Sequence, residues 1–76
     1  MELNNFVENI KLQFEETDVS LINESTHFQE LDEWSSLVAM GVISMIDEEY
    51  GVDVNGDDIR SSITVNDLFD LVKNRL

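Results

Sequence analysis

The stretch "EWSSLVAMGVISMIDEEYGVDV", residues 33–54, decides the fold. From Ser36 to Tyr50 it holds no proline and a single glycine, Gly41, and its apolar residues recur at helical rather than alternating spacing. Ser35 stands before this run as an N-cap, its hydroxyl able to accept one of the backbone N–H groups that a first turn leaves free. Gly51 ends it, as glycine commonly does. The spacing predicts a helix over 36–50. At about 100° per residue, Ala39, Val42, Ile43, Ile46 and Tyr50 gather on one side as the core face. Leu37, Gly41, Ser44 and Glu48 fall on the other, a strip short of charge for its first two turns. Met40 and Met45 read as pliant packing residues.

The flanks read the same way. Leu3, Phe6, Val7, Ile10 and Phe14 make one apolar stripe and predict a first helix over about residues 2–16. "TVND" places Thr64 as a cap with Asp67 three residues on, a variant of the capping box. Val65, Leu68, Phe69, Val72 and Leu76 follow as the stripe of a last long helix. Between them, "NGDDIRSS" holds one short helical turn around Asp57 to Arg60. From Thr17 to Trp34 the periodicity weakens into a long ordered loop, which Leu21, Ile22, Phe28 and Leu31 can tack to the core. Loops of eighteen residues are uncommon in compact domains and tend to be functional. The expected fold is all-α: an antiparallel four-helix bundle with three long helices, one short helix and a long first loop, in one domain spanning 1–76.

Composition narrows the function. A chain of 76 residues supports one core, burying ~60% of its unfolded surface. Seventeen acids against four bases give a formal charge of −13, which repels nucleic acid and anionic membrane and attracts basic protein surfaces. The 42% of hydrophobic residues are well distributed, so the acidity does not signal disorder. Without cysteine there is no disulfide framework, and a reducing, cytoplasmic setting fits. "MELNNFVENI" lacks the basic and apolar regions of a leader, and no run nears the ~18 apolar residues of a membrane span, so a soluble, unprocessed monomer is expected. His27 has no second histidine or cysteine to join it, so neither a nucleophilic triad nor a zinc site can be assembled and catalysis is not expected. "DVNGDD" fails as a calcium loop because the register places Gly51 and Ser62 where ligands belong.

Asp47, Glu48 and Glu49 crowd the C-terminal end of the central helix, where the helix dipole disfavours anions. Placement that costs stability suggests a partner that reads it, and Asp57 and Asp58 extend the same acidic surface. A serine at a helix start, by contrast, is ordinarily only a cap. Yet a phosphate joined to a serine there would be stabilised by the free N–H groups and the positive end of the dipole.

Residues 33–54 resemble the modification site and second helix of acyl carrier proteins, whose signature is Asp-Ser-Leu at the start of a helix that ends in acids, an aromatic residue and a β-branched pair. The helix order, the long first loop, the short third helix and the final "SITVNDLFDLV" match as well, across nearly the whole chain. The resemblance implies a four-helix bundle with 4′-phosphopantetheine joined to a serine hydroxyl through a phosphodiester. By that alignment the attachment point is Ser36, the serine before Leu37, rather than Ser35. Ser35 stands in place of the family's aspartate, which helps dock the phosphopantetheinyl transferase near its metal. Gly41 and Ser44 replace a typical acid and a typical methionine on the recognition strip. Trp34, like that of specialised stand-alone carriers, has a plainer reading as an aromatic plug packing the loop on the central helix.

The function so implied is a non-catalytic carrier of acyl groups held as thioesters, presented to acyl-loading and acyl-transfer enzymes with basic docking surfaces. Recognition would run through Leu37, Gly41, Ser44, Asp47, Glu48, Glu49, Asp57 and Asp58. The alternative is an acidic helical adaptor of the same fold that, lacking the aspartate, binds a basic protein without any prosthetic group.

Overall fold

The computed structural model describes residues 1–76, in which four α-helices are joined without any strand. Helix α1 runs Leu3–Lys11, α2 Ser36–Tyr50, α3 Gly56–Ser61 and α4 Val65–Asn74. None is long and apolar enough to cross a membrane. The all-helical bundle with three longer helices and one short one agrees with the expectation from spacing and caps.

Helix α2 has the bounds its punctuation predicts. The Ser35 hydroxyl accepts the Val38 N–H at 3.3 Å, and Gly51 takes the left-handed conformation (φ 65°) that closes the helix on the Asp47 carbonyl. Helix α4 opens on the expected box, with Thr64 Oγ1 accepting the Asp67 N–H and the Asp67 carboxylate accepting the Thr64 N–H. A second box, Asn55 with Asp58, starts α3 and lengthens the expected single turn to six residues.

Helix α1 is shorter than its apolar stripe suggests, ending at Lys11 rather than near residue 16. The chain tightens there, with Gln13 N–H on Ile10 O and Phe14 N–H on Lys11 O, so Phe14 still reaches the core. Glu15 and Glu16 would load the negative end of a longer helix with like charge. Their amides go instead, with that of Thr17, to the Glu33 carboxylate at 2.8–3.0 Å.

Sixteen buried apolar side chains form one core, drawn from all four helices and from the loop. Phe6 sits at its centre, edge-on to Phe69 of α4 (5.6 Å between ring centres) and tilted against Tyr50 of α2 (5.8 Å). The Tyr50 hydroxyl donates to Asn5 and accepts from Asn9, which ties the end of α2 to α1. Val42 and Ile46 of the expected α2 face are buried, and Ala39, Ile43 and Tyr50 are half-buried. Met45 joins the core, but Met40 does not: it lies 64% exposed beside Leu37, on the solvent side of the helix.

The first loop is ordered by two 3-10 turns, Val19–Leu21 and Phe28–Glu30. Ile22 and Phe28 are buried and Leu31 is half-buried, as expected of residues that tack it down. Leu21 is exposed instead, since the turn that buries Ile22 points its neighbour outward. Leu76, expected on the α4 stripe, lies beyond the last helical residue and is exposed. The carbonyls of Glu24 and Thr26 accept the N–H groups of Asn66 and Val65, so the loop also finishes the first turn of α4.

Candidate functional site

Two adjacent serines divide their work at the start of α2. Ser35, in extended backbone (φ −156°, ψ 173°), spends its hydroxyl on the Val38 N–H. Ser36 is the first helical residue; its side chain is exposed and its hydroxyl bonds to no protein group. The amides of Ser36 and Leu37 have no intrahelical carbonyl to bind, so a free hydroxyl sits beside free N–H groups at the positive end of a fifteen-residue helix.

Behind this serine pair the loop is held rigidly. Trp34 lies between Phe14 and Phe28, with ring centres at 6.3 and 5.2 Å, so the plug packs on the turn after α1 and on the loop itself. Glu33, one residue earlier, holds four hydrogen bonds from the Glu15–Thr17 turn, the Thr17 hydroxyl at 2.6 Å among them. The hydroxyl bond to Thr17, followed by the amide bonds, pulls the Glu33 carboxyl down to about 2 from an ordinary 4.5. The aromatic plug was legible in the chain, but the Glu33 bonds were not, because a glutamate in an acidic run looks like any other.

In front of the serines, a cleft of about 310 Å³ opens between α2 and α3. Trp34, Ala39 and Ile59 supply its apolar lining, while Gln29, Ser35, Ser36, Gly56 and Arg60 complete it. Gln29 bridges loop and α3 by donating to the carbonyls of Ile59 and Ser62. Arg60 is the one charged residue of the lining and is paired with Asp57 on its own helix. Arg60 and Gly56 were not picked out by spacing, although a base is conspicuous in a chain with only four.

The expected recognition residues are spread over several settings. Leu37 is 78% exposed, and Ser44, Asp47, Glu48 and Glu49 are exposed along the same helix, whose last turn contains no base. Gly41 is half-buried: a Cβ there would come within 2.9 Å of Oε1 at the tip of the Gln13 side chain, from the turn after α1. Asp57 is exposed but paired with Arg60. Asp58 is engaged three ways, accepting the Asn55 N–H and gripping Arg75 of the C-terminus at 2.7 and 2.8 Å. The Arg75 bonds hold its carboxyl below the usual aspartate range.

A phosphodiester-linked group fits these residues. The Ser36 hydroxyl is free, the amides beside it suit an anion, and the cleft offers apolar surface to a chain of mixed polarity. No curated protein and no solved structure matches the chain. The family model of the phosphopantetheine attachment site does match, over residues 7–72, from the middle of α1 to the last turn of α4. Members of this family are non-catalytic and bear 4′-phosphopantetheine covalently. With its free serine at the head of α2, the chain belongs to the family of phosphopantetheine-binding carriers.

Proposed function

We propose that Ser36 is the attachment point and that the loaded protein is an acyl carrier serving fatty acid, polyketide or a related specialised biosynthesis. The observation that carries this reading is the division between the two serines: Ser35 is consumed as a cap, whereas the Ser36 hydroxyl is exposed and unbonded at the mouth of the cleft. When bound, 4′-phosphopantetheine supplies a terminal thiol on which an acyl group is held as a thioester.

The chain's own residues attach and present it. Free amides of the α2 N-terminus stabilise negative charge beside Ser36. Trp34 and Glu33 hold the preceding loop, so the serine is offered from a fixed backbone. Leu37 and Met40 stand out as apolar contacts for a docking enzyme, and Ser44 leaves the strip beside them uncharged. Asp47, Glu48 and Glu49, with Asp57 and Asp58 of α3, attract basic surfaces of a phosphopantetheinyl transferase and of acyl-loading and acyl-transfer enzymes. Such docking is quick and weak, as a carrier that must leave requires. A soluble, cytoplasmic monomer is the form this work needs.

Co-expression with a broad-specificity phosphopantetheinyl transferase, followed by intact mass, tests the reading. One added phosphopantetheine is expected on the wild type and none on Ser36→Ala. An unmodified wild type would favour the adaptor that binds a basic protein with no prosthetic group; label on Ser35 would overturn the register.

A further inference from the structure

Arg60 is out of keeping with its surroundings. The chain carries −13, yet the cleft beside Ser36 contains a cation and no carboxylate. The other bases are committed elsewhere: Arg75 grips Asp58 with both Nη atoms, Lys11 pairs with Glu8, and Lys73 lies over the Phe69 ring. Arg60 has only Asp57, three residues before it, and with side chains 70% and 86% exposed the pair is one that water screens heavily. Its guanidinium is laid back across Gly56, where a Cβ would approach Nη1 to 3.2 Å and Cζ to 3.7 Å. Glycine at 56 thus leaves the guanidinium room to lie along the rim of the cleft, although the side chain is still 70% exposed.

We infer that attachment at Ser36 moves Arg60 from Asp57 to the phosphodiester of the arm, so that Asp57 stands unpaired only in the loaded protein. This rests on Ser36 being the attachment point. A phosphodiester is a permanent anion with two unbridged oxygens, and the arginine fork matches that geometry with two parallel bonds. The apolar walls of Trp34, Ala39 and Ile59 would cover one side of that new pair, whereas the pair with Asp57 joins two exposed side chains on one helix. Gln29 cannot compete, because both hydrogens of its amide are already given to Ile59 and Ser62. The exchange adds an unpaired carboxylate to α3 when the cargo arm is in place, which lets a basic partner distinguish loaded from unloaded protein by charge.

The Arg60 Nε–Hε cross-peak in nitrogen–proton NMR reads the exchange directly, and Arg75, the only other arginine, serves as internal reference. In unloaded protein, Asp57→Asn should displace the Arg60 peak from its wild-type position. In loaded protein, confirmed by intact mass, the Arg60 peak should move, the Arg75 peak should stay, and the wild-type and Asp57→Asn peaks should converge. Arg60→Gln should shift the phosphorus resonance of the arm, and Arg60→Lys should return it part of the way. An Arg60 peak that ignores loading, or that still depends on Asp57 afterwards, would overturn the inference and leave the carrier reading intact. If no arm attaches, phosphoserine installed at position 36 puts a phosphate monoester, more highly charged than the diester, on the same oxygen. An Arg60 shift there would uphold the pairing while the carrier reading fell, and no shift would end both.

Discussion

The carboxylate of Glu33 accepts both the hydroxyl and the N–H of Thr17, at 2.6 and 2.8 Å. The pair spans sixteen residues and fixes the turn after α1 against the residue two before the cap of α2. Because the folded carboxyl titrates near 2 instead of 4.5, its contribution is fully present above about pH 4.5 and is lost as the pH falls toward 2. Glu33→Gln should lower the melting midpoint at neutral pH and flatten its decline between pH 4.5 and 2. Thermal melts of both proteins across that range check it; parallel profiles would mean that the bonds carry no stability.

Stability and modification should separate between the neighbouring serines. Ser35→Ala removes the α2 cap and should cost about 1 kcal/mol, a fall of ~4–8 °C in midpoint for a domain of this size, while leaving attachment possible. Ser36→Ala should abolish attachment and leave the unloaded midpoint nearly unchanged. Melting curves beside intact masses make the comparison, and a large stability loss in Ser36→Ala would show a structural role that the structure does not contain.

Restoring the acid before the attachment serine is a gain-of-function test. Ser35→Asp keeps a good N-cap, since aspartate caps as well as serine, and adds negative charge in a first turn that has none. Attachment by a holo-synthase-type transferase should speed up, because that acid can meet a basic or metal-bearing site. Initial rates by mass spectrometry decide it; an unchanged or slower rate would mean that Ser35 is no docking defect.

Charge should act in opposite directions on folding and on docking. A chain of −13 repels itself, so the midpoint should rise with salt or with millimolar divalent ions, whereas partner binding should weaken over a Debye length of about 8–10 Å. Glu48→Lys, at the end of α2 where no base offsets the acids, should hold or raise the midpoint yet slow loading or transfer. If midpoint and turnover fell together, the acids would be structural.

Much of this fold could be read from local chemistry. Ser35 and Gly51 bound α2 because a cap and a left-handed terminus are determined by the residues that form them, and Thr64 with Asp67 opens α4 for the same reason. Several departures from that reading have a distant residue or helix phase behind them. Helix α1 stops early because Glu33, far along the chain, takes the amides that would follow it. Met40 shares its residue type with the buried Met45 but faces outward by helix phase alone. Ser36 could be singled out only through the family pattern; that its hydroxyl is exposed and unbonded, while Ser35 is occupied as the cap, is visible only in the structure. Arg60 comes to the cleft because α3, packed on α4, stands across from the start of α2, which no spacing within "DDIRSS" expresses.

The carbonyls of Glu24 and Thr26 hold the first two amides of α4. Those amides are therefore a clock for the loop rather than for the helix that contains them. Deuterium entering Val65 and Asn66 while Leu68 and Phe69 remain protected would time the lifting of the loop off the bundle, measured some forty residues away in sequence from where the motion takes place.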